Sequence, residues 1–268
     1  MRVHSAILAG GEHNHDRLFV TDNAVIVLDG ASTFEPVEVD AGLYTETLGA
    51  AIAEQLAQQP SLPIADAVAT AIRHTVHKLD LTAGRSPSST VSVLRAGARE
   101  VHLYVLGDSP IHYGTQGIDR ILTDDRLSSA AIPECDRYLS QLRAGRGYTT
   151  EHQAALVALQ RAQRHARNRA CGYWIAETDP AAAHHALTTT IRADAITWTV
   201  LATDGAADVI THTGPSWPTI ADYNPDDLAA LLDHLHHWEY GTDPTGYLLP
   251  RAKQHDDKTI AAVTFVRP

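Results

Sequence analysis

Residues 24–28 read Ala-Val-Ile-Val-Leu, an unbroken apolar run that stops on Asp29-Gly30. A short run rich in β-branched residues and closed by turn residues predicts a buried strand. Residues 3–8, 197–202 and 259–266 carry the same signature, and 90–95 with 100–106 predict a hairpin across Ala96-Gly97-Ala98-Arg99. Residues 111–113 and 117–122 predict a continuation of that meander. Helical spacing is clearest from Ile64 to Leu79, where apolar residues recur at i, i+3, i+4 and i+7 after Pro63. Residues 42–57 and 151–170 also predict helices, the second with a basic C-terminal half that suits the helix dipole. Asp179-Pro180 starts a further helix, and Asn224-Pro225 caps another over 226–239, with Leu228, Leu231, Leu232 and Leu235 on one face. Helices packed outside antiparallel sheets give an α+β fold. No linker, repeat or low-complexity tract divides the 268 residues, so one domain over 1–268 is the economical organisation.

Composition narrows the partners. A net charge of −11 disfavours nucleic acid, whose phosphates need a basic surface. No apolar run approaches the roughly 18 residues that cross a bilayer, which argues against a membrane partner. The start of the chain is too weak for a signal peptide, and Cys135 and Cys171 show no metal spacing, so a reduced cytoplasmic protein is expected. Lysine occurs only at 78, 253 and 258. Sixteen histidines, among them His184-His185 and His236-His237, form neither an HExxH motif nor a Cys/His knuckle, and zinc is not expected.

The chemistry lies in carboxylates at strand ends. Asp29, Asp108 and Asp204 each follow a predicted strand, and Asp256-Asp257 precede one. For any single Asp a turn or helix cap is a sufficient explanation. As a set they would converge, and like charges a few ångströms apart raise each other's pKa unless a cation compensates. All-oxygen ligands favour hard ions such as Mg²⁺ or Mn²⁺.

The order of these motifs resembles the PPM/PP2C family of metal-dependent Ser/Thr protein phosphatases. Asn14-His15-Asp16-Arg17, the Asp29-Gly30 strand end, Ser88-Ser89-Thr90 and Gly107-Asp108-Ser109 follow the family's order. Leu122-Thr123-Asp124-Asp125, Thr203-Asp204-Gly205-Ala206-Ala207-Asp208 and Asp256-Asp257 complete it across almost the entire chain. The resemblance implies a four-layer α-β-β-α sandwich, two antiparallel sheets flanked by helices. It implies two Mg²⁺ or Mn²⁺ ions held by Asp29, the Gly30 carbonyl, Asp204 and Asp256, with Asp108 at a third, weaker site. Asp16 would orient a water held by the metals. That water would attack a phosphomonoester of a phosphorylated protein substrate in line, without a phosphoenzyme.

Several positions depart from the family pattern. Gly11 stands where members often carry a phosphate-binding Arg, and His15 replaces Gln or Glu. Ala31-Ser32-Thr33 lacks the His or Met that follows Asp-Gly, Pro110 replaces an Arg, and Arg126 replaces a His. The segment 133–190, at the place of the family's variable flap, diverges most. Its arginines, Arg164 and Arg167 foremost, are candidates for binding substrate phosphate. The alternative for 151–170 is a solvated helix face, and the alternative function is a catalytically weak regulator that binds metal or phosphoprotein.

Overall fold

The computed structural model describes residues 1–31, 38–115 and 117–265. Ser32 and Thr33, part of the departure after Gly30, lie outside the described residues, as does Val266 at the end of the last predicted strand. Among the described residues, ten strands form two antiparallel sheets. One runs β1 (Arg2–Leu8), β10 (Lys258–Thr264), β9 (Ile196–Ala202), β6 (Ile111–Thr115), β7 (Ile118–Leu122). The other runs β2 (Arg17–Val20), β3 (Ala24–Leu28), β4 (Val91–Ala96), β5 (Glu100–Leu106), β8 (Leu187–Arg192).

The alternation of side chains along each strand explains the layers. In β3, Ala24, Ile26 and Leu28 face helices α1 (Ala41–Gln58) and α2 (Ile64–Leu79), while Val25 and Val27 face the opposite sheet. Both faces of this strand are therefore buried, which is why its sequence is continuously apolar rather than alternating. In β10, Ala261 and Val263 meet Val25 and Val27 across the sandwich. Ile260 and Ala262 face helices α5 (Asp204–Thr213), α6 (Trp217–Ala221) and α7 (Pro225–Gly241). Burying a side chain such as Ile26 contributes roughly 1.5–3 kcal/mol, so the three apolar layers carry the fold. Helices α3 (Ile132–Arg143) and α4 (Thr150–Ala166) pack on each other.

Side-chain caps fix the starts of α7, as the sequence suggests, and of α1. Asn224 accepts from the Asp226 and Asp227 amides, and Asp227 returns a bond to the Asn224 amide. Asp40 accepts from the Leu43 amide at 3.1 Å at the start of α1.

Several features differ from the expectation. The hairpin β6–β7 does not extend the β4–β5 meander but joins the other sheet beside β9. Gly107 turns the chain between the sheets at φ +91°, and a Cβ there would lie 2.9 Å from the Thr90 methyl. The segment after Asp179 winds as a 3₁₀ helix, Pro180–His185. The helix expected over 151–170 ends at Ala166, where Arg167 takes an extended conformation and turns inward. Helix α3 was not expected, because it buries only Leu142 and so carries little apolar periodicity.

Candidate metal centre

One end of the sandwich gathers the strand-end carboxylates. Asp29 leaves β3 with its amide bonded to Thr90 Oγ1 at 3.2 Å, and its carbonyl accepts from the Thr90 amide at 3.0 Å. Asp204 is the first residue of α5, directly below the tip of β9. Asp108 follows the Gly107 turn after β5. Asp256 comes from the loop before β10. These four and Asp208, one helical turn beyond Asp204, line one cleft of about 400 Å³. Gly30 bridges to Ser89, and a side chain on Gly30 would run into His15 and Thr45, each contact at 3.1 Å or less. What the structure shows crowding Gly30 is therefore protein.

Asp16 is buried behind this cleft, with Oδ2 accepting from Thr203 Oγ1 at 2.8 Å. Thr203 Oγ1 also receives the Thr259 amide, so the three residues lock the end of β9 to β10. Asp16 is thus placed by two neighbouring strands of the first sheet, although it precedes β2 of the second.

Crowding is plain in the titration behaviour. Burial, then the carboxylate of Asp204 beside it, pushes Asp29 well above the usual range. Asp204 is raised by burial and then by Asp256. Asp16 is pushed up to about 8 by burial, against the hydrogen bonds of Thr203 and Thr259 that favour its charged form. Asp108 rises to about 7 by burial and then by Asp204. Among the described residues, five carboxylates line the cleft against two cations, Arg167 and Lys253. A donor set of oxygens alone with excess negative charge fits hard divalent ions such as Mg²⁺ or Mn²⁺.

The loop carrying Asp256 is held from three directions, and these contacts were not legible in the sequence. Asp257 points away from the cleft and accepts from the amides of Gly10 and His15, both at 2.8 Å. Lys258, fully buried, donates to the Asp256 carbonyl and to Glu239 Oε2, both at 2.9 Å. Arg251 anchors the front of the loop on Asp243 at 2.7 Å. Lys253 forms an ion pair with Asp256 itself. Burial works against its charge, yet Asp256, then Asp29 and Asp257, hold the Lys253 ammonium above its usual pKa. Its position three residues before a candidate ligand, in a chain with three lysines, was the only signal available.

The two candidate arginines separate. Arg167 lines the cleft, with Nη1 donating to Glu177 at 3.2 Å and Nε to the Tyr173 hydroxyl at 3.3 Å. Arg164, on the last turn of α4, is not among the described residues lining the cleft. Gly11 is exposed, with nothing within 4 Å of where a Cβ would stand. The His15 ring lies 3.5 Å from Asp40. Arg126 grips Asp124 with two donors and reaches the His185 carbonyl at 2.7 Å. His236, Glu239 and His255 also meet. There Lys258 already neutralises Glu239, and Arg251 stands 4.0 Å from its second oxygen, so that cluster is a charge-balanced support.

The comparisons with known proteins agree with this fold. The family described as Protein phosphatase 2C matches residues 5–238. No curated protein matches the chain in sequence. Among solved structures, the catalytic domain of the serine/threonine phosphatase PstP in complex with two manganese ions is similar at 16% identity. Its TM-score is 0.54, with 97% of this chain and 96% of that one covered. The PPM Ser-Thr phosphatase MsPP from Mycobacterium smegmatis, in complex with cacodylate, is similar at 18% identity, 97% of each chain and TM-score 0.54. Stp1 from Staphylococcus aureus is similar at 9% identity, 99% of this chain, 95% of that one and TM-score 0.56. At these identities the likeness to solved structures is one of fold.

Proposed function

The chain belongs to the protein phosphatase 2C family of metal-dependent protein phosphatases, and from that premise we propose that it hydrolyses phosphoserine and phosphothreonine in proteins. The observation that supports this most is the gathering of Asp29, Asp108, Asp204 and Asp256 on one cleft with Asp16 behind them. Asp29, the Gly30 carbonyl, Asp204 and Asp256 would hold two Mg²⁺ or Mn²⁺ ions, and Asp108 a third, weaker one. When bound, such ions activate a water and neutralise charge on the phosphoryl group.

The remaining work falls to the chain's own residues. Asp16, fixed through Thr203, would orient the attacking water by accepting its hydrogen bond. Arg167 is placed to meet a phosphate oxygen, since a guanidinium can present two parallel donors to phosphate. It would have to share itself with Glu177, which now holds it. The apolar side of the cleft, Leu156, Leu159 and Ile175 among others, excludes water from one flank of the substrate. We take the whole chain as one phosphatase unit, with 133–190 as its flap and the cytoplasm as its setting. No helix among the described residues is long and apolar enough to cross a membrane.

Hydrolysis of p-nitrophenyl phosphate and of a phosphothreonine peptide, with and without Mn²⁺, tests the reading. Mn²⁺-dependent turnover that disappears in Asp29→Asn is expected. Tight Mn²⁺ binding with no turnover on either substrate would favour the regulator.

A further inference from the structure

Most charged groups around the cleft are committed to partners within the protein. Arg167 is held by Glu177, Asp257 by two backbone amides, and Asp16 by Thr203. Lys253 also lines the cleft, and one of its contacts is an ion pair with Asp256, itself a candidate ligand.

The backbone brings it there. Residues 251–257 form an irregular loop, so the three-residue spacing between Lys253 and Asp256 is not a helical neighbour relation. Arg251 fixes the start of the loop through Asp243 and through the Leu249 and Gln254 carbonyls, at 2.7, 3.0 and 2.9 Å. Lys258 fixes its end through the Asp256 carbonyl. Between these two anchors the ammonium is delivered to the carboxylate cage by a short, tethered stretch. It offsets part of the repulsion among Asp256, Asp29 and Asp204, which is the role a divalent ion has in the same place.

An ammonium and a divalent cation on the same Asp256 carboxylate repel each other, the more so where the surroundings screen poorly, so each weakens the hold of the other. We propose that Lys253 is a tethered competitor of the divalent ion at Asp256, setting the metal affinity of the cage from within. The proposal rests on the reading of the cleft as a metal centre. In it, metal loading transfers Asp256 from the lysine to the ion and leaves the ammonium on the cleft wall. Neutralising Lys253 then has opposite effects on two states: the metal-free protein loses a stabilising counter-charge, and the metal complex loses a competitor.

The test is Mn²⁺ binding to metal-stripped full-length protein, followed by isothermal titration calorimetry, beside thermal unfolding in EDTA. Lys253→Met should bind Mn²⁺ about tenfold more tightly, the size of a one-unit shift in a charge interaction. Its melting temperature without metal should fall below that of the parent. Lys253→Arg, which keeps the charge, should stay near the parent in both. The Mn²⁺-induced rise in melting temperature gives a second readout for a variant too fragile to titrate when stripped, and should be larger in Lys253→Met. Unchanged or weaker Mn²⁺ binding in Lys253→Met, beside a clear loss in Asp204→Asn, overturns the competitor while the metal centre stands. A parent chain that binds no Mn²⁺ at all overturns both.

Discussion

Two buried charge clusters face each other across the loop 251–257, and they are built on opposite plans. Around Glu239, each carboxylate has its cation: Lys258 on Glu239, and Arg251 on Asp243. Around Asp29, carboxylates outnumber cations among the described residues, and burial and neighbouring carboxylates favour the protonated forms of Asp29 and Asp204. A balanced cluster of this kind holds a fold in one arrangement, whereas an unbalanced one costs stability and persists for the sake of what it binds. Both act on Asp256. The balanced cluster grips its carbonyl through Lys258, leaving its carboxylate for the cage.

The comparison breaks first at Asp29. Asp29→Asn should lower Mn²⁺-dependent turnover by at least about a hundredfold, because the ions that the cleft would hold, and the water they would activate, lose a proposed ligand. The same variant should melt higher than the parent in EDTA, since one member of a like-charge cluster is gone. A lower melting temperature would place Asp29 among the structural carboxylates.

The balanced cluster predicts the reverse sign. Glu239→Leu leaves the buried Lys258 ammonium without its carboxylate, a change that typically costs about 3–5 kcal/mol. Urea unfolding measures this, and a loss under about 1 kcal/mol would mean that the Asp256 carbonyl alone satisfies Lys258.

The effect of pH sharpens the contrast. Folded Asp16 and Asp108 titrate near 8 and 7, against the ordinary 3.8, so the metal-free native state binds more protons than the unfolded chain between these values. Their stabilisation is complete below about pH 4 and is lost as pH rises through 7 to 8. In EDTA the melting temperature should therefore be higher at pH 5.5 than at pH 8.5. Saturating Mn²⁺ should reduce or reverse the difference, because bound cations favour the ionised carboxylates. The smallest effect is expected at Arg167: Arg167→Ala should raise KM severalfold with little change in kcat, as loss of uniform phosphate binding does. Arg164→Ala should change neither measurably.

Much of this was legible in the sequence because buried strands announce themselves. The apolar run 24–28 and the helical spacing from Ile64 to Leu79 match β3 and α2 residue for residue. The carboxylates were legible because each interrupts such a run. Less visible was which sheet a strand joins, since nothing in the residue pattern marks the Gly107 turn as the place where the chain crosses from one sheet to the other. Strand β8 escaped notice because Leu187–Arg192 is threonine-rich and mostly exposed at a sheet edge. The division of labour between Asp256 and Asp257 is invisible in two identical letters. It comes from where Gly10 and His15 place their amides, some 240 positions away.

That long-range clamp has a consequence for biosynthesis. Among the described strands, β1 pairs with β10 alone, from Arg2 opposite Thr264 to Leu8 opposite Lys258, so β1 waits for a strand made after every other described one. Contacts so distant in sequence form slowly. Until β10 docks, Asp16 and Asp29 have no Asp256 beside them, and the nascent chain cannot assemble the full set of carboxylates. The acidic cage is then completed in the same event that closes the first sheet, and cation capture becomes a signature of a finished fold.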